Sequence, residues 1–177
     1  VKANASCLVL DNLALAGLTT FDVASPVEMQ TVRAAVPNAV LHYHNPVRSP
    51  IEIAAAKRFG IRSWSVDSRE ELDKLSGLPS GAEIAVRLHV PVAGAAYDFG
   101  LKFGAGPAQA AALLRCVKQR GLTPSLTFHP GTQCTDPAAW VQYIDVAYEV
   151  SQRAETALKR LNVGGGFTVW RERQAPD

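Results

Sequence analysis

The sequence predicts an α/β fold in which parallel strands alternate with helices. Short apolar runs typical of strands recur along the chain, separated by loops and helical stretches. Three of these runs are each followed by a serine, with a glutamate three residues further on, which is the spacing of a helix capping box. Three units of roughly twenty residues, each a strand followed by a capped helix, favour a parallel β/α architecture.

The first half of the chain contains one leading helix and three strand–helix units. The first helix is predicted over residues 6–16, and Gly17 fits the position just past its end. The strands are predicted at residues 19–24, 39–44 and 61–66. The helices that follow them start at Ser25, Ser49 and Ser68, and the first two of these serines are followed directly by proline.

The second half keeps the alternation with longer spacing. In order, we predict a strand at 83–90, an excursion loop at 91–106, a helix at 107–120 closed by Gly121, and a strand at 122–129. Asp136 and Pro137 fit the N-cap and N1 positions of a further helix that extends to about residue 160. The last strand ends in the glycines, and residues 168–177 are polar without a recognisable domain end.

This pattern gives seven strand–helix units, with the first strand nearly absent and the last helix missing. A closed parallel (β/α)8 barrel of the TIM type needs eight strands and about 250 residues. We therefore expect an incomplete (β/α)8 barrel with about seven strands. A doubly wound open sheet is the structural alternative, but no Gly-x-Gly-x-x-Gly follows the first strand.

Composition restricts the classes of function. The 177 residues are 47% hydrophobic and 19% charged, which indicates one globular domain with a real core. The net charge of +2 without a basic, aromatic stripe argues against nucleic acid, and no apolar run approaches a membrane span. Three widely spaced cysteines fit neither a zinc site nor a disulfide framework, which favours a cytoplasmic protein. The missing initiator methionine suggests a piece of a larger protein.

Chemically useful residues stand at predicted strand ends. Gly164, Gly165 and Gly166 leave backbone N–H groups unobstructed, which suits a phosphate. His129 follows the preceding strand, and Lys2 stands near the N-terminus. Taken singly, each has an ordinary explanation: a flexible turn, a satisfied histidine, and a surface lysine.

Seven short segments, in order along nearly the whole chain, resemble those of one enzyme family. They are Val1-Lys2-Ala3-Asn4, Phe21-Asp22-Val23-Ala24-Ser25, Tyr43-His44-Asn45-Pro46, Val66-Asp67-Ser68, Lys102-Phe103-Gly104-Ala105, Phe128-His129-Pro130-Gly131-Thr132 and Gly164-Gly165-Gly166-Phe167. The chain thus resembles the barrel domain of fold-type III pyridoxal-phosphate enzymes. It is most similar to the ornithine/lysine/diaminopimelate decarboxylases, nearest the ornithine decarboxylase branch.

The resemblance implies a role for each matching residue. Lys2 matches the lysine that binds pyridoxal phosphate as a Schiff base, and His129 matches the histidine that lies against the cofactor ring. The three glycines match the phosphate-binding turn, and Thr132 takes the place of a serine near the phosphate. Asp22 and Arg87 match polar residues near the cofactor, where they could pair with each other, either for catalysis or as a structural ion pair. His42, His44 and His89 show no metal-ligand pattern, so we expect no metal site.

The function implied is decarboxylation of a basic amino acid, ornithine or lysine, to a diamine. The family's Glu-Pro-Gly-Arg stretch on the eighth strand and its C-terminal β domain have no counterpart here. We therefore expect residues 1–177 to be the cofactor-binding barrel domain of a longer protein, a homodimer acting on a small amino acid. The alternatives are a non-catalytic homologue that regulates or binds, and a single-domain protein that carries pyridoxal phosphate.

Overall fold

The computed structural model describes residues 1–97 and 102–169, and within these residues helices and strands alternate along the chain. The helices are α1 (Cys7–Leu15), α2 (Pro26–Ala35), α3 (Pro50–Arg58), α4 (Arg69–Lys74), α5 (Pro107–Gln119) and α6 (Ala138–Arg153). The strands are β1 (Thr20–Val23), β2 (Val40–Tyr43), β3 (Ser63–Val66), β4 (Glu83–Arg87), β5 (Thr123–Thr127) and β6 (Leu161–Asn162). None of the helices in the described ranges is long and apolar enough to cross a membrane.

The strands form one parallel sheet in the order β1-β2-β3-β4-β5-β6, and the sheet is strongly curled. Six strands laid flat would be about 24 Å across at ~4.8 Å per strand. Yet the side-chain amide of Asn162 on β6 lies 3.4 Å from the carboxylate of Asp22 on β1. The two edge strands therefore approach each other across a partial barrel, which confirms the predicted incomplete parallel α/β barrel.

Local capping explains why three helices begin where they do. The hydroxyls of Ser25, Ser49 and Ser68 each accept a hydrogen bond from the backbone N–H three residues later. The box is reciprocal in α3, where the Glu52 carboxylate accepts from the backbone N–H of Ser49 at 2.7 Å. In α2 the carboxylate of Glu28 accepts from the N–H of Ala24 instead, at 2.9 Å. All three predicted starts are confirmed.

The alternation of side chains along each strand gives the sheet two different faces. One face packs against the helices and holds large buried side chains such as Tyr43, Trp64 and Phe128, the last stacked on Tyr143 of α6 at a ring separation of 4.5 Å. Burial of each such side chain stabilises the fold by about 1.5–3 kcal/mol. The opposite face is polar and lines the barrel interior, so the interior can present hydrogen-bonding groups to a ligand.

Two boundaries differ from the sequence prediction. Helix α6 begins at Ala138, whose N–H donates to the Asp136 carboxylate, and it ends at Arg153 rather than near residue 160. It ends there because Glu155 takes a left-handed conformation with φ +49°. The expected first strand at the N-terminus is a turn, which leaves six strands rather than seven within residues 1–97 and 102–169.

The expected excursion loop holds no helix and no named strand within residues 91–97 and 102–106, and residues 98–101 lie outside the described residues. Of the polar end at 168–177, residues 170–177 also lie outside them.

Candidate functional site

A cavity of about 640 Å³ opens at the carboxyl ends of the strands, the end where parallel barrels carry their active sites. Most of the predicted site residues meet there. From the predicted set, the wall includes Lys2, Asp22, Arg87, His129, Gly164 and Gly165. Residues from both ends of the chain thus share one cavity, and it has the size of a small-molecule site.

Lys2 and Asp22 stand on one side of this cavity. Lys2 is exposed in the turn before α1, and the amino group of Val1 lies 3.3 Å from the backbone oxygen of Asp22. This contact holds the N-terminal turn against the end of β1, so a reactive amine and a carboxylate flank the same opening.

The expected pairing of Asp22 with Arg87 does not form among the described residues. The Asp22 side chain is 55% exposed and has as its neighbours His42 of β2 and His44, which follows that strand. Arg87 lies 5.1 Å above the ring of Phe103, and burial lowers the pKa of its guanidinium, with the charge of Asp67 acting in the opposite direction. Arg87 therefore provides a positive charge in the cavity wall instead of neutralising Asp22.

The glycine turn packs directly on the end of β5. A Cβ atom on Gly164 would collide with the backbone oxygen of Phe128, and one on Gly165 would lie 3.5 Å from Nε2 of His129. The N–H of Gly164 donates to the side-chain oxygen of Asn162 at 2.9 Å, so it is already in use. The N–H groups of Gly165 and Gly166 make no hydrogen bond within the described ranges. Two of the three expected phosphate-binding N–H groups therefore remain for an anion.

His129 lies between this turn and the two cationic side chains of the cavity, Lys2 and Arg87. Its Nδ1 accepts a hydrogen bond from the N–H of Gly131 at 3.1 Å. Burial lowers the pKa of its imidazole, and the charges of Arg87 and Lys2 lower it further. The ring is therefore neutral near pH 7, a flat aromatic surface beside the glycine turn.

Two predicted residues lie outside the cavity wall. Thr132 is exposed, and its backbone pairs with Tyr97 of the excursion loop. Gly166 lies behind His129, where a Cβ atom would be 3.1 Å from Cε1 of the ring. Gly166 thus contributes through its backbone, and the Thr132 hydroxyl faces no cavity residue that the described contacts include.

Sequence reasoning missed four polar residues of the wall, His44, Asn45, Thr127 and Asn162, of which His44 and Asn162 contact each other. The Asn162 amide nitrogen lies 3.1 Å from Nδ1 of His44, and Nε2 of His44 lies 3.1 Å from the hydroxyl of Ser63. Burial lowers the pKa of His44 to about 4, so the ring is neutral near pH 7. No local pattern signals this contact, because its partners are 118 residues apart.

The same region brings three possible metal ligands together, which sequence spacing did not reveal. Ligand atoms of Asp22, His42 and His44 all lie within 4.8 Å of one another. However, Nδ1 of His42 lies 2.9 Å from a guanidinium nitrogen of Arg160, and Nδ1 of His44 faces the Asn162 amide. Both lone pairs already accept hydrogen bonds, so this geometry is that of a hydrogen-bonded cluster.

The whole chain, residues 1–177, matches the sequence model of a family described as pyridoxal-dependent decarboxylase, pyridoxal binding domain. The chain belongs to this family. It is 34% identical over 174 residues to a lysine/ornithine decarboxylase of Selenomonas ruminantium, covering 96% of this chain and 44% of that protein. It is 32% identical over 172 residues to the ornithine decarboxylase of Neurospora crassa, covering 94% of this chain and 35% of that protein. These matches confirm the ornithine decarboxylase branch.

Solved structures of the family show the same fold. A crystal structure of an SrLDC mutant in complex with PLP aligns with a TM-score of 0.85 at 32% identity, covering 94% of this chain and 44% of that one. A lysine/ornithine decarboxylase from Vibrio vulnificus, complexed with cadaverine, aligns with a TM-score of 0.80 at 29% identity, covering 93% and 44%. The cofactor expectation, pyridoxal phosphate, is confirmed for this family's domain. The chain spans less than half the length of these relatives.

Proposed function

We propose that the protein containing this chain decarboxylates a basic amino acid, ornithine or lysine, to the corresponding diamine, with pyridoxal phosphate bound through Lys2. The observation that carries the proposal is the meeting of an amine, an imidazole and a glycine turn around one cavity. Lysine, a flat neutral ring and unobstructed N–H groups are the three kinds of group that an aldehyde-bearing pyridine phosphate needs.

The residues present fit this cofactor. A Cβ atom on Gly164 or Gly166 would collide with the backbone oxygen of Phe128 or Gly131, so only glycines let the turn pack here and present the N–H groups of Gly165 and Gly166. Arg87 adds a positive charge to the same cavity, which favours an anionic ligand. These two features support a phosphate anchored in the same cavity that Lys2 lines.

Each residue has a proposed task. Lys2 would hold the cofactor through its ε-amine, and the amine of the substrate would displace Lys2 from the cofactor. His129, neutral and beside Gly165, would lie against the cofactor ring. Asp22 would stabilise the positive charge that develops on the nitrogen of Lys2. When bound, pyridoxal phosphate supplies the electron-accepting ring on which departure of CO₂ depends.

The names of the relatives support the substrate class. The Selenomonas protein is a lysine/ornithine decarboxylase, and the Vibrio structure is complexed with cadaverine, which is a diamine. We extend this class to the present chain as a proposal. Ornithine and lysine share the α-amino acid end that would meet Lys2 and differ only in the length of the side chain.

We further propose that residues 1–177 are the cofactor-binding barrel domain of a longer protein. The curled sheet leaves β1 and β6 as edges, and further barrel strands would cover them. The remaining chain, with a C-terminal β domain and a second copy in a homodimer, would complete the substrate site. Free cysteines at positions 7, 116 and 134 support a cytoplasmic location.

The test is an assay of the full-length protein with L-ornithine, L-lysine and diaminopimelate, in which released CO₂ and the product amine are quantified. Lys2→Ala should abolish turnover, whereas Lys118→Ala should leave it intact, because Lys118 bonds to the backbone of Glu155 away from the cavity. Release of putrescine or cadaverine supports the proposal. Absence of turnover with all three substrates, at saturating cofactor, overturns it.

A further inference from the structure

Asn162, the last residue of β6, makes contacts on three sides. Its side-chain oxygen accepts from the N–H of Gly164 at 2.9 Å. Its amide nitrogen lies 3.1 Å from Nδ1 of His44 and 3.4 Å from a carboxylate oxygen of Asp22. One amide therefore spans the cavity floor from the glycine turn to the end of β1.

The N–H of Gly164 fixes the direction of this amide, because a backbone N–H can only donate and the amide must turn its oxygen toward it. A neutral histidine carries one proton, and Nδ1 must accept because the Asn162 amide is a donor there. Nε2 then carries the proton and donates to the hydroxyl of Ser63 at 3.1 Å. The contact with Ser63 on β3 holds the His44 ring in place. The amide nitrogen of Asn162 therefore faces His44, and the amide oxygen of Asn162 faces Gly164. This assignment follows from the partners of each atom.

Because His44 is neutral, it does not balance the negative charge of the neighbouring Asp22 carboxylate. Nδ1 of His44 lies 3.6 Å from Asp22, within ion-pair distance, but burial keeps the ring uncharged near pH 7. Nδ1 of His42 lies 3.8 Å from the same carboxylate, and burial and the charge of Arg160 lower the pKa of that ring as well. Neither imidazole therefore neutralises Asp22 near pH 7, and its carboxylate also has the weak amide contact of Asn162. Its charge stays directed at the cavity that Lys2 also lines.

We propose that Asn162 is a positioning residue that couples the phosphate end of the cofactor site to its lysine end. This inference rests on the proposed cofactor site. Through Gly164 the amide sets the turn that offers the N–H groups of Gly165 and Gly166. Through Asp22 it sets the carboxylate beside Lys2. His44 is the anchor that keeps the amide in this orientation.

A purely structural role is separable from this one, because Arg160, the residue before β6, also connects this part of the chain to other strands of the sheet. Two residues before Asn162, Arg160 hydrogen-bonds to His42 on β2 and to Glu83 on β4. Loss of the Asn162 side chain leaves these contacts, so the curled sheet should persist. Effects of Asn162→Ala on ligand binding should therefore exceed its effects on folding.

The test compares Asn162→Ala and His44→Ala in the full-length protein, with Asn38→Ala in the exposed α2–β2 loop as the control. Pyridoxal phosphate, pyridoxal and inorganic phosphate are titrated separately. We expect Asn162→Ala to weaken pyridoxal phosphate and inorganic phosphate by about tenfold, the effect of one or two hydrogen bonds, and pyridoxal clearly less. His44→Ala keeps the Gly164 contact and should show a smaller loss.

The lysine end is tested by the pH midpoint of the absorbance band of the lysine-bound cofactor. Asn162→Ala should raise this midpoint by about half a pH unit, because the Asp22 charge loses a donor. In an Asp22→Ala background the same substitution should have no effect on the midpoint. A merely structural residue would move neither the midpoint nor the ratio between phosphate-bearing and phosphate-free ligands.

Equal losses for pyridoxal phosphate and pyridoxal, with an unchanged midpoint, overturn the coupling while leaving the proposed function intact. If Asn162→Ala fails to fold, His44→Ala decides the question with the same readouts. If the wild-type protein binds neither pyridoxal phosphate nor inorganic phosphate, the cofactor site itself is refuted, and the coupling with it.

Discussion

Gly164 lies so close to Phe128 that no side chain fits between them. A Cβ atom on Gly164 would collide with the Phe128 backbone oxygen and lie 3.0 Å from Cα of His129. The turn that follows β6 is thus seated on the end of β5, and the histidine and the glycine N–H groups are fixed relative to each other. This contact makes the glycine turn a rigid part of the barrel rim.

Substitution of Gly164 by alanine should therefore disrupt both folding and cofactor binding. Its φ of +70° costs alanine about 1–2 kcal/mol, and the collision with Phe128 adds to this. Urea unfolding and cofactor titration measure the two effects.

Gly77→Ala is the matched control for this substitution. Gly77 has nearly the same φ, +71°, but a Cβ atom there meets nothing within 4 Å. Gly77→Ala should lower the free energy of unfolding only by the backbone cost of about 1–2 kcal/mol, and it should leave the cofactor affinity unchanged. Equal behaviour of the two variants would show that the turn is not tightly seated on β5.

Acid should destabilise the protein through His44. An unfolded histidine titrates near pH 6.5, whereas burial holds the pKa of folded His44 at about 4, with opposing contributions from Asp22 and Glu83 and lowering ones from His42 and Arg160. Between these values the unfolded state binds more protons. The stabilising contribution is complete above about pH 6.5 and is lost as the pH falls through about 4.

The acid sensitivity can be assigned to this ring by substitution. The loss should be about 1.4 kcal/mol for each pH unit in which only the unfolded histidine is charged. Urea unfolding at pH 7.5, 5.5 and 4.5 should show a smaller decline for His44→Gln than for the wild type, whereas His89→Gln, outside the cluster, should decline like the wild type. Parallel declines in all three proteins would contradict this account.

The ion pair between Arg160 and Glu83 should contribute measurably to stability. One Glu83 oxygen accepts from the Ser125 hydroxyl at 2.8 Å, and the other accepts from Arg160 at 3.1 Å. Removing Arg160 leaves a largely buried carboxylate without its cation. Because Arg160 is 40% exposed, we expect Arg160→Ala to cost about 2 kcal/mol, less than a fully buried pair.

Chemical denaturation of three variants measures this contribution. Adding Glu83→Gln to Arg160→Ala should recover part of the loss, because the uncompensated charge is removed. Arg115→Ala, at an exposed site on α5, should change the free energy of unfolding by no more than about 0.5 kcal/mol. A loss for Arg160→Ala as small as that for Arg115→Ala would show that the pair is unimportant.

Local chemistry made much of the fold predictable. The serine caps of α2, α3 and α4 depend on residues three apart, and the structure forms them where the sequence indicates. The family resemblance assigned Lys2, His129 and Gly165 to one cofactor site, and they line one cavity. Their roles toward a cofactor remain predictions.

The features that sequence did not predict depend on how far the sheet curls. The contacts of Asn162 with Asp22 and His44 join residues 140 and 118 positions apart, and they exist only because β6 faces β1 and β2 across the interior. Asp22 has histidine neighbours instead of Arg87 because β1 pairs with β2, where Asp22 lies opposite His42. The early end of α6 follows from the left-handed turn at Glu155, a non-glycine residue that carries no turn signal.

The most direct test of the account is borohydride reduction of the full-length protein after incubation with pyridoxal phosphate, followed by peptide mass mapping. We predict a reduced pyridoxyl adduct on Lys2 alone, absent from Lys2→Arg and unchanged in Lys118→Ala. Labelling scattered over surface lysines, or a Lys2 peptide without adduct, would contradict the assignment of this cavity as a pyridoxal-phosphate site.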